Sequence, residues 1–268
     1  MQAYNKIDQK LHWLSQLVTK VNISYVPLRE DNSHTNLYYD KLGNRLIGRW
    51  ISITRDPLIL SLNLKDLQFE WLNSSLQTVK QYHVAGKTIE DLEQEIVDHL
   101  DVVGLDPKGF ERRLHYEIPS YPFSSSIIEE LNGTDLNVWT YYRNIANQAC
   151  SLLLGYLQIE GEIRIWPHHF DTGIYVINKN KLGIGFGLAM QDTLMDSPYF
   201  YLSGYASNGS ISYKNLPPLS AGKWRINEDW RGAVLPLSEL DKISKANGIE
   251  SVEQFMLETV AWFITQKV

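Results

Sequence analysis

The chain has 268 residues, of which 44% are hydrophobic and 21% are charged, values that fit a globular protein with a buried core. Its 25 basic and 31 acidic residues give a formal net charge of −6, and no basic tract is present to neutralise phosphates, which argues against a general nucleic-acid binder. Cys150 is the single cysteine, so an intrachain disulfide and a cysteine-rich zinc site are excluded.

The N-terminal residues and the length of the apolar runs bear on where the protein is located in the cell. The first eight residues lack the long apolar core of a signal peptide. No uninterrupted apolar run approaches the roughly 20 residues that a membrane helix needs. We therefore expect a soluble, cytoplasmic protein without a membrane or nucleic-acid partner. A small-molecule ligand is possible, whereas the cofactor and the oligomeric state are unknown from the sequence.

Apolar residues at helical spacing predict four main helices, near residues 7–19, 88–103, 135–157 and 251–266. Thr88 and Asp91 have the spacing of a capping box at the start of the second helix, and Gly104 ends it. Ser251 with Gln254 predicts a cap for the last helix. Cys150 lies on the third helix without a neighbouring base, which favours a packing role over a nucleophilic one.

The segments between the first two helices alternate with period two, as half-buried strands do. Residues 47–53, 58–64, 67–71 and 76–82 predict strands joined by short turns, which is an antiparallel meander because such connections cannot form parallel crossovers. A further short strand is predicted from Leu114 to Ile118. Together these elements predict an α+β fold with a mostly antiparallel sheet. We expect a single domain over 1–268, or two fused halves of about 1–130 and 131–268.

The densest group of chemically active side chains is the segment Arg164–Gly173, which contains Trp166, His168, His169 and Asp171. If the chain stays extended past Pro167, His169 and Asp171 share one face with Cα atoms about 6.6 Å apart. His168 then lies on the opposite face with Arg164 and Trp166. A bulge at the proline would change this, since proline cannot donate to a ladder.

Three interpretations of this segment compete. Two histidines and a carboxylate are ligands of many divalent-metal sites, but adjacent histidines in a strand are weak evidence, and we assign no metal. His169 and Asp171 are also the components of a catalytic acid–base pair. In the third interpretation the segment is structural, with a buried histidine and with Asp171 capping a turn.

Two further patterns point to a ligand site. Gly183, Gly185 and Gly187 alternate in a strand and leave one face without side chains, so that a ring, a backbone or a ligand can approach closely. The next strand places Tyr199 and Tyr201 on one face. On the first helix Trp13, Gln16 and Lys20 share a stripe, which either lines a cleft or faces solvent.

The motif Trp166-Pro167-His168-His169-Phe170-Asp171, followed by the glycine-rich strand and Pro198-Tyr199-Phe200-Tyr201, resembles a bacterial family of uncharacterised proteins, a domain of unknown function. Other matching positions lie upstream: Trp13, Gln16, Lys20, Pro27, Asn36, Tyr38 and Pro119. The resemblance covers about residues 10–205. It implies a shared fold and pocket, and it brings no established activity, cofactor or substrate.

The sequence thus supports three functional hypotheses. In the first, the protein binds a small polar or anionic ligand in a pocket lined by aromatic and histidine side chains, namely Arg164, Trp166, His168, Tyr199, Tyr201, Trp13, Gln16 and Lys20. In the second, it is an acid–base or metal-assisted enzyme, a hydrolase or isomerase, with His169 and Asp171 as catalytic residues. In the third, it is a structural or assembly module whose aromatic residues bury an interface.

Overall fold

The computed structural model describes residues 1–54, 56–207, 209–240, 242 and 244–266. The chain forms two compact units. We call Lys6–Thr140 together with Ile165–Phe170 the N-terminal unit, and Met1–Asn5, Tyr141–Arg164 and Asp171–Val268 the C-terminal unit. The predicted α+β class is confirmed, because the described residues form two antiparallel sheets and several helices.

The sheet of the N-terminal unit is an antiparallel meander, as predicted. Its described strands are β1 (Tyr38–Asp40), β2 (Arg45–Ile47), β3 (Ile59–Asn63), β4 (Gln68–Leu72) and β5 (Thr78–His83), and they lie in chain order. Short turns connect successive strands, which fixes the antiparallel pairing. The strand predicted over 47–53 is not continuous: β2 ends at Ile47, and the chain pairs again only through an isolated bridge between Ile51 and Leu58.

Strand β3 is buried at every position, whereas alternation predicted a half-buried strand. Its polar side chains are accommodated by the neighbouring strand β4. Ser61 Oγ donates a hydrogen bond to the carbonyl oxygen of Glu70, and Asn63 Nδ2 donates to Glu70 Oε1 at 3.0 Å. Arg45 on β2 forms an ion pair with the same carboxylate at 2.9 Å. A buried polar face is stable when its groups are paired in this way, so alternation of residue type did not indicate exposure.

The four predicted helices are present among the described residues and differ from the predictions at their ends, and one further short helix lies before the last of them. They are α1 (Gln2–Tyr25), α2 (Ile89–Val102), α3 (Gly133–Leu157), the short α4 (Leu237–Leu240) and α5 (Lys245–Ile264). The capping box of Thr88 and Asp91 is present. The predicted cap at Ser251 is wrong, because α5 begins earlier at Ser244. Inside α5 the Ser251 hydroxyl bonds the carbonyl of Asn247 instead.

The strand predicted from Leu114 to Ile118 is absent from the described segment, which forms bends there. Its alternation has a different cause. Tyr116 turns inward and its hydroxyl donates to Gln16 Oε1 on α1 at 2.8 Å, while His115 and Glu117 stay exposed. A side-chain contact to a helix can produce the same inward–outward pattern as a strand, so period two over five residues was insufficient evidence.

The described strands that follow α3 are β6 (Arg164–Trp166), β7 (Asp171–Ile177), β8 (Leu182–Ala189), β9 (Tyr199–Ala206), β10 (Lys223–Ile226) and β11 (Arg231–Pro236). They form an antiparallel sheet in the order β10-β11-β9-β8-β7-β6. One face of β8 and β9 carries the fully buried side chains of Phe186, Leu188 and Leu202. On that face Gly204 leaves room for the ring of Phe263 on α5. Within the described residues no helix is both long and apolar enough to cross a membrane.

Candidate functional site

The Trp-Pro-His-His-Phe segment is a turn: of the two conformations that the sequence left open after Pro167, the chain does not stay extended. The backbone N–H groups of His169 and Phe170 both return to the carbonyl of Trp166, at 3.3 and 2.6 Å. Phe170 adopts a positive φ of 54°. Proline cannot donate to a ladder, and the chain turns immediately after it. Face-sharing along a strand therefore does not describe His169 and Asp171, and their pairing stays a prediction.

Helix α1 holds this turn through one carbonyl oxygen. His12 Nε2 and Gln16 Nε2 both donate to the carbonyl of Pro167, at 2.9 and 3.0 Å. Because a carbonyl can only accept, Nε2 of His12 carries a proton, and Nδ1 lies 2.7 Å from the hydroxyl of Tyr121. Burial raises the pKa of Tyr121, with a further contribution from Asp8, so its hydroxyl stays protonated and donates to Nδ1. Histidine and glutamine one helical turn apart thus fix the backbone that carries His168 and His169.

Phe170 anchors the other end of the turn. Its ring is fully buried and stacks on His12 at a centroid distance of 5.3 Å and on Trp139 at 6.1 Å. This phenyl ring is part of the core. A bulky residue with positive φ is uncommon and costs backbone free energy. The ring contacts offset this cost, so the burial of Phe170 holds the turn closed.

The turn presents its histidines to a row of rings. The His168 and His169 rings lie 4.2 Å apart, His168 lies 5.5 Å from Tyr116, and Tyr116 lies 4.9 Å from His115. His169 and His115 are exposed and His168 is half-buried. We call His115, His168, His169 and the buried His34 the histidine row. Burial, followed by the neighbouring His169 and His115, lowers the pKa of His168 to about 4.

His34 connects to this row through electrostatics. Burial lowers its pKa, followed by the effect of His115 and, more weakly, of Arg49 and Arg29, while Asp31 opposes them. The backbone N–H of Arg29 donates to Nδ1 of His34 at 3.3 Å, so Nε2 carries the proton of the neutral ring. This buried Nε2 has no hydrogen-bond acceptor among the described residues. The surroundings of the row are therefore rich in donors and positive charge.

The stripe predicted on α1 divides into three different contacts. Gln16 uses both amide protons on carbonyls, of His12 and Pro167, and its oxygen accepts from Tyr116. Trp13 packs edge-on against Phe123 with ring centroids 5.7 Å apart. Lys20 pairs with Glu93 at 2.8 Å and lies over the ring of Phe110. Gln16 is thus a positioning residue for the turn, and ligand contacts by Trp13 and Lys20 stay predictions.

In the C-terminal unit, Asp171 has a partner that the sequence did not predict. The hydroxyl of Tyr201 donates to Asp171 Oδ2 at 2.5 Å. Burial raises the pKa of Tyr201 well above its usual value, and the carboxylate of Asp171 raises it further. Tyr199 makes the equivalent bond to Asp192 Oδ2 at 2.8 Å, and burial followed by that carboxylate raises its pKa too. Each phenol therefore stays protonated and donates to a carboxylate.

Tyrosine rings cover the face of β8 on which Gly183, Gly185 and Gly187 lie. A β-carbon added at Gly183 would lie 2.5 Å from the hydroxyl of Tyr175, and one added at Gly187 would lie 3.0 Å from the hydroxyl of Tyr201. Gly185 is covered by Tyr205. An aromatic ring was one of the occupants that the sequence allowed for this face. Gly183 and Gly185 leave room for rings of the neighbouring strands, whereas at Gly187 an added β-carbon would also come within 2.5 Å of the carbonyl oxygen of Thr172.

The predicted site residues are divided between the two units. Trp13, Gln16, Lys20, Trp166, His168 and His169 belong to the N-terminal unit, and Arg164, Asp171, Tyr199 and Tyr201 belong to the C-terminal unit. Arg164 forms an ion pair with Glu162 at 3.5 Å, and Trp166 is half-buried. The grouping of all ten around one ligand stays a prediction.

Several residues of these sites were missed by sequence reasoning. His12, one turn before Gln16 on the predicted stripe of α1, was detectable from helical spacing. Arg143 is fully buried on α3 and donates to Thr172 Oγ1 at 2.9 Å. It stands four residues after Trp139 on an apolar stripe, which was the signal for a buried, paired arginine. His34 and His115 had no such signal, because they come together through the tertiary fold.

A pocket of about 300 Å³ in the C-terminal unit contains none of the predicted site residues, and its walls come from β9, the start of β11 and the segment near Tyr213. Among the described residues no group of three or more His, Cys, Asp or Glu side chains is arranged to hold a metal ion. No protein-family model, no curated protein and no solved structure matches the chain.

Proposed function

We propose that the protein binds a small anion at the histidine row of the N-terminal unit. The observation that supports this most directly is the row itself: the His169 ring contacts the His168 ring, and Tyr116 lies between His168 and His115. His34 has a buried N–H without an acceptor among the described residues, and the charged groups that act on it include His115, Arg29 and Arg49. An anion accepts hydrogen bonds from the N–H groups of imidazoles. The acidic net charge of the chain makes such a donor-rich patch locally distinctive.

Anion binding at this row is coupled to proton uptake. The ring of His168 is neutral at pH 7, because its pKa lies near 4. A bound anion favours the charged imidazolium, so binding raises that pKa and tightens as the pH falls. Affinity for sulfate, whose charge is constant between pH 7 and pH 5, is expected to be at least about threefold higher at pH 5.

The experiment follows the imidazole resonances of the full chain by long-range ¹H–¹⁵N NMR during sulfate titration, with sodium chloride at equal ionic strength as reference. His168→Gln should weaken binding, whereas His83→Gln, an exposed histidine on β5 outside the row, should leave it unchanged. Equal responses to sulfate and chloride, or equal losses in the two variants, would overturn the proposal. Equal losses would indicate a general effect of ionic strength, which acts on the His168→Gln and His83→Gln variants alike.

A second candidate function is acid–base catalysis around Asp171. The specific observation is the hydrogen bond of 2.5 Å that the hydroxyl of Tyr201 donates to Asp171. Burial raises the pKa of Tyr201, and Asp171 is only 8% exposed. A protonated phenol that donates to a carboxylate holds it in one orientation, so Asp171 can accept a proton from a substrate. This makes Tyr201, rather than His169, the partner of Asp171. Loss of turnover in Tyr201→Phe with retained sulfate binding would separate this candidate from the first.

A further inference from the structure

The pocket near the end of β9 exists because two neighbouring strands differ in length. Strand β11 pairs with β9 only from Tyr199 to Leu202, whereas β9 continues against β8 to Ala206. No described strand pairs with the segment from Ser203 to Ala206 on its β11 side. The four residues of this edge, Ser203 to Ala206, form one wall of the pocket.

The rest of the wall is aromatic and is held in place by packing. Tyr205 packs against Tyr175 with centroids 5.7 Å apart, and Tyr213 packs against Trp262 at 5.5 Å. The indole of Trp230 covers Gly232, where an added β-carbon would lie 2.6 Å from Cη2. Rings that are fixed by neighbours lose little freedom when a ligand stacks on them.

Two opposite charges flank Trp230 at the mouth of this pocket. Asp229 and Arg231 are both exposed lining residues. Arg231 Nε donates to the carbonyl of Asn227 at 3.3 Å, and its positive charge acts on the hydroxyl of Tyr213. Ser203 Oγ and the Tyr213 hydroxyl both donate to the carbonyl of Arg231, at 2.7 and 3.4 Å, which fixes the backbone that carries the guanidinium. With the described residues, neither Asp229 nor Arg231 forms an ion pair.

From this arrangement we infer that the pocket binds a free amino acid with an aromatic or large apolar side chain. Arg231 pairs with its carboxylate, Asp229 pairs with its ammonium group, and the rings of Tyr205, Tyr213 and Trp230 contact its side chain. The volume of about 300 Å³ is at the lower end of the range for small-molecule sites and fits a ligand of this size. A ligand with one charge leaves either the aspartate or the arginine without a partner, which selects for the zwitterion.

The test uses isothermal titration of the full chain with three probes that share one ring. L-Phenylalanine carries both charges, 3-phenylpropionate lacks the ammonium group, and phenethylamine lacks the carboxylate. We expect L-phenylalanine to bind at least about tenfold more tightly than either analogue, because each loses one charge-assisted contact. Absence of L-phenylalanine binding at about 10 mM, or equal affinity for all three probes, would overturn the inference.

Charge-neutralising variants then test which protein side chain pairs with which charged group of the ligand. Arg231→Gln should weaken L-phenylalanine binding by about tenfold and leave phenethylamine binding unchanged. Asp229→Asn should weaken L-phenylalanine and leave 3-phenylpropionate unchanged. Arg225→Gln, an exposed arginine on β10 outside the pocket, is the matched control and should bind all three probes as the wild type does. If Arg225→Gln loses as much affinity as Arg231→Gln, general electrostatics explains the result and the inference is wrong.

Discussion

The two units place different ionisable groups in their interiors. The N-terminal unit surrounds imidazoles with donors and positive charge, and the pKa of both His34 and His168 is lowered, mainly by burial. The C-terminal unit pairs phenols with carboxylates, and the pKa of both Tyr199 and Tyr201 is raised, again mainly by burial. Burial disfavours the charged form in each case. The same physical effect therefore makes the histidines of one unit sensitive to acid and keeps the tyrosines of the other protonated through the physiological range.

The largest expected effect concerns the anchor of the histidine turn. Phe170→Ala removes a fully buried ring that stacks on His12 and Trp139. We expect a loss of about 3–5 kcal/mol in the free energy of unfolding, from lost burial and the cavity that remains. Urea unfolding followed by tryptophan fluorescence measures it. Phe170→Leu should lose much less, and equal losses for both variants would show that the stacked ring is not the anchor.

In the C-terminal unit, the corresponding test removes one hydroxyl group. Tyr201→Phe leaves Oδ2 of Asp171 without its phenol donor, and we expect a loss of about 1–3 kcal/mol. The melting temperature should fall by about 2–4 °C per kcal/mol. Tyr175→Phe is the matched control, because that ring lies over the same glycine strand but is 46% exposed. A melting temperature of Tyr201→Phe as high as that of the control would refute the buried pair.

The acid response distinguishes the units directly. His168 has a pKa near 4 in the fold, below the unfolded value of about 6.5, so its contribution to stability is present above pH 6.5 and is lost as the pH falls toward 4. The His169 ring contacts His168 directly, and Tyr116 lies between His168 and His115. We expect a loss on the order of 1 kcal/mol after allowing for partial solvation. Unfolding at pH 7 and pH 4.5 should show a smaller acid loss in His168→Gln than in the wild type.

The smallest expected effect is that of His169 on stability. Its ring is exposed, so His169→Ala should change the free energy of unfolding by less than about 0.5 kcal/mol. The same variant should weaken sulfate binding, because it removes one donor from the row. Thermal melting and the sulfate titration measure the two quantities separately. A variant that melts early but binds sulfate as the wild type does would show that His169 has a structural role.

Much of the fold was predictable because it depends on local patterns. Helical spacing located α3 within a few residues, and the capping box at Thr88 marked the start of α2. Period two placed Tyr199 and Tyr201 on one face, where their rings lie 6.4 Å apart. The apolar character of Phe170 sufficed to predict burial. These features depend on residues that are close in sequence, so their physical causes can be read from a short window.

The site was less predictable, because its contacts join distant parts of the chain. His12 Nε2 meets the carbonyl of Pro167 across a separation of 155 residues, and Tyr201 meets Asp171 across 30. The sequence placed reactive side chains together in the Trp-Pro-His-His-Phe-Asp segment. It could not show that the chain turns after Pro167, because that conformation is stabilised by Phe170 packing on His12 and Trp139. By itself the sequence determined which elements form and which residues are reactive. The tertiary structure decided their partners, since hydrogen bonds and ring contacts depend on where the backbone returns in space.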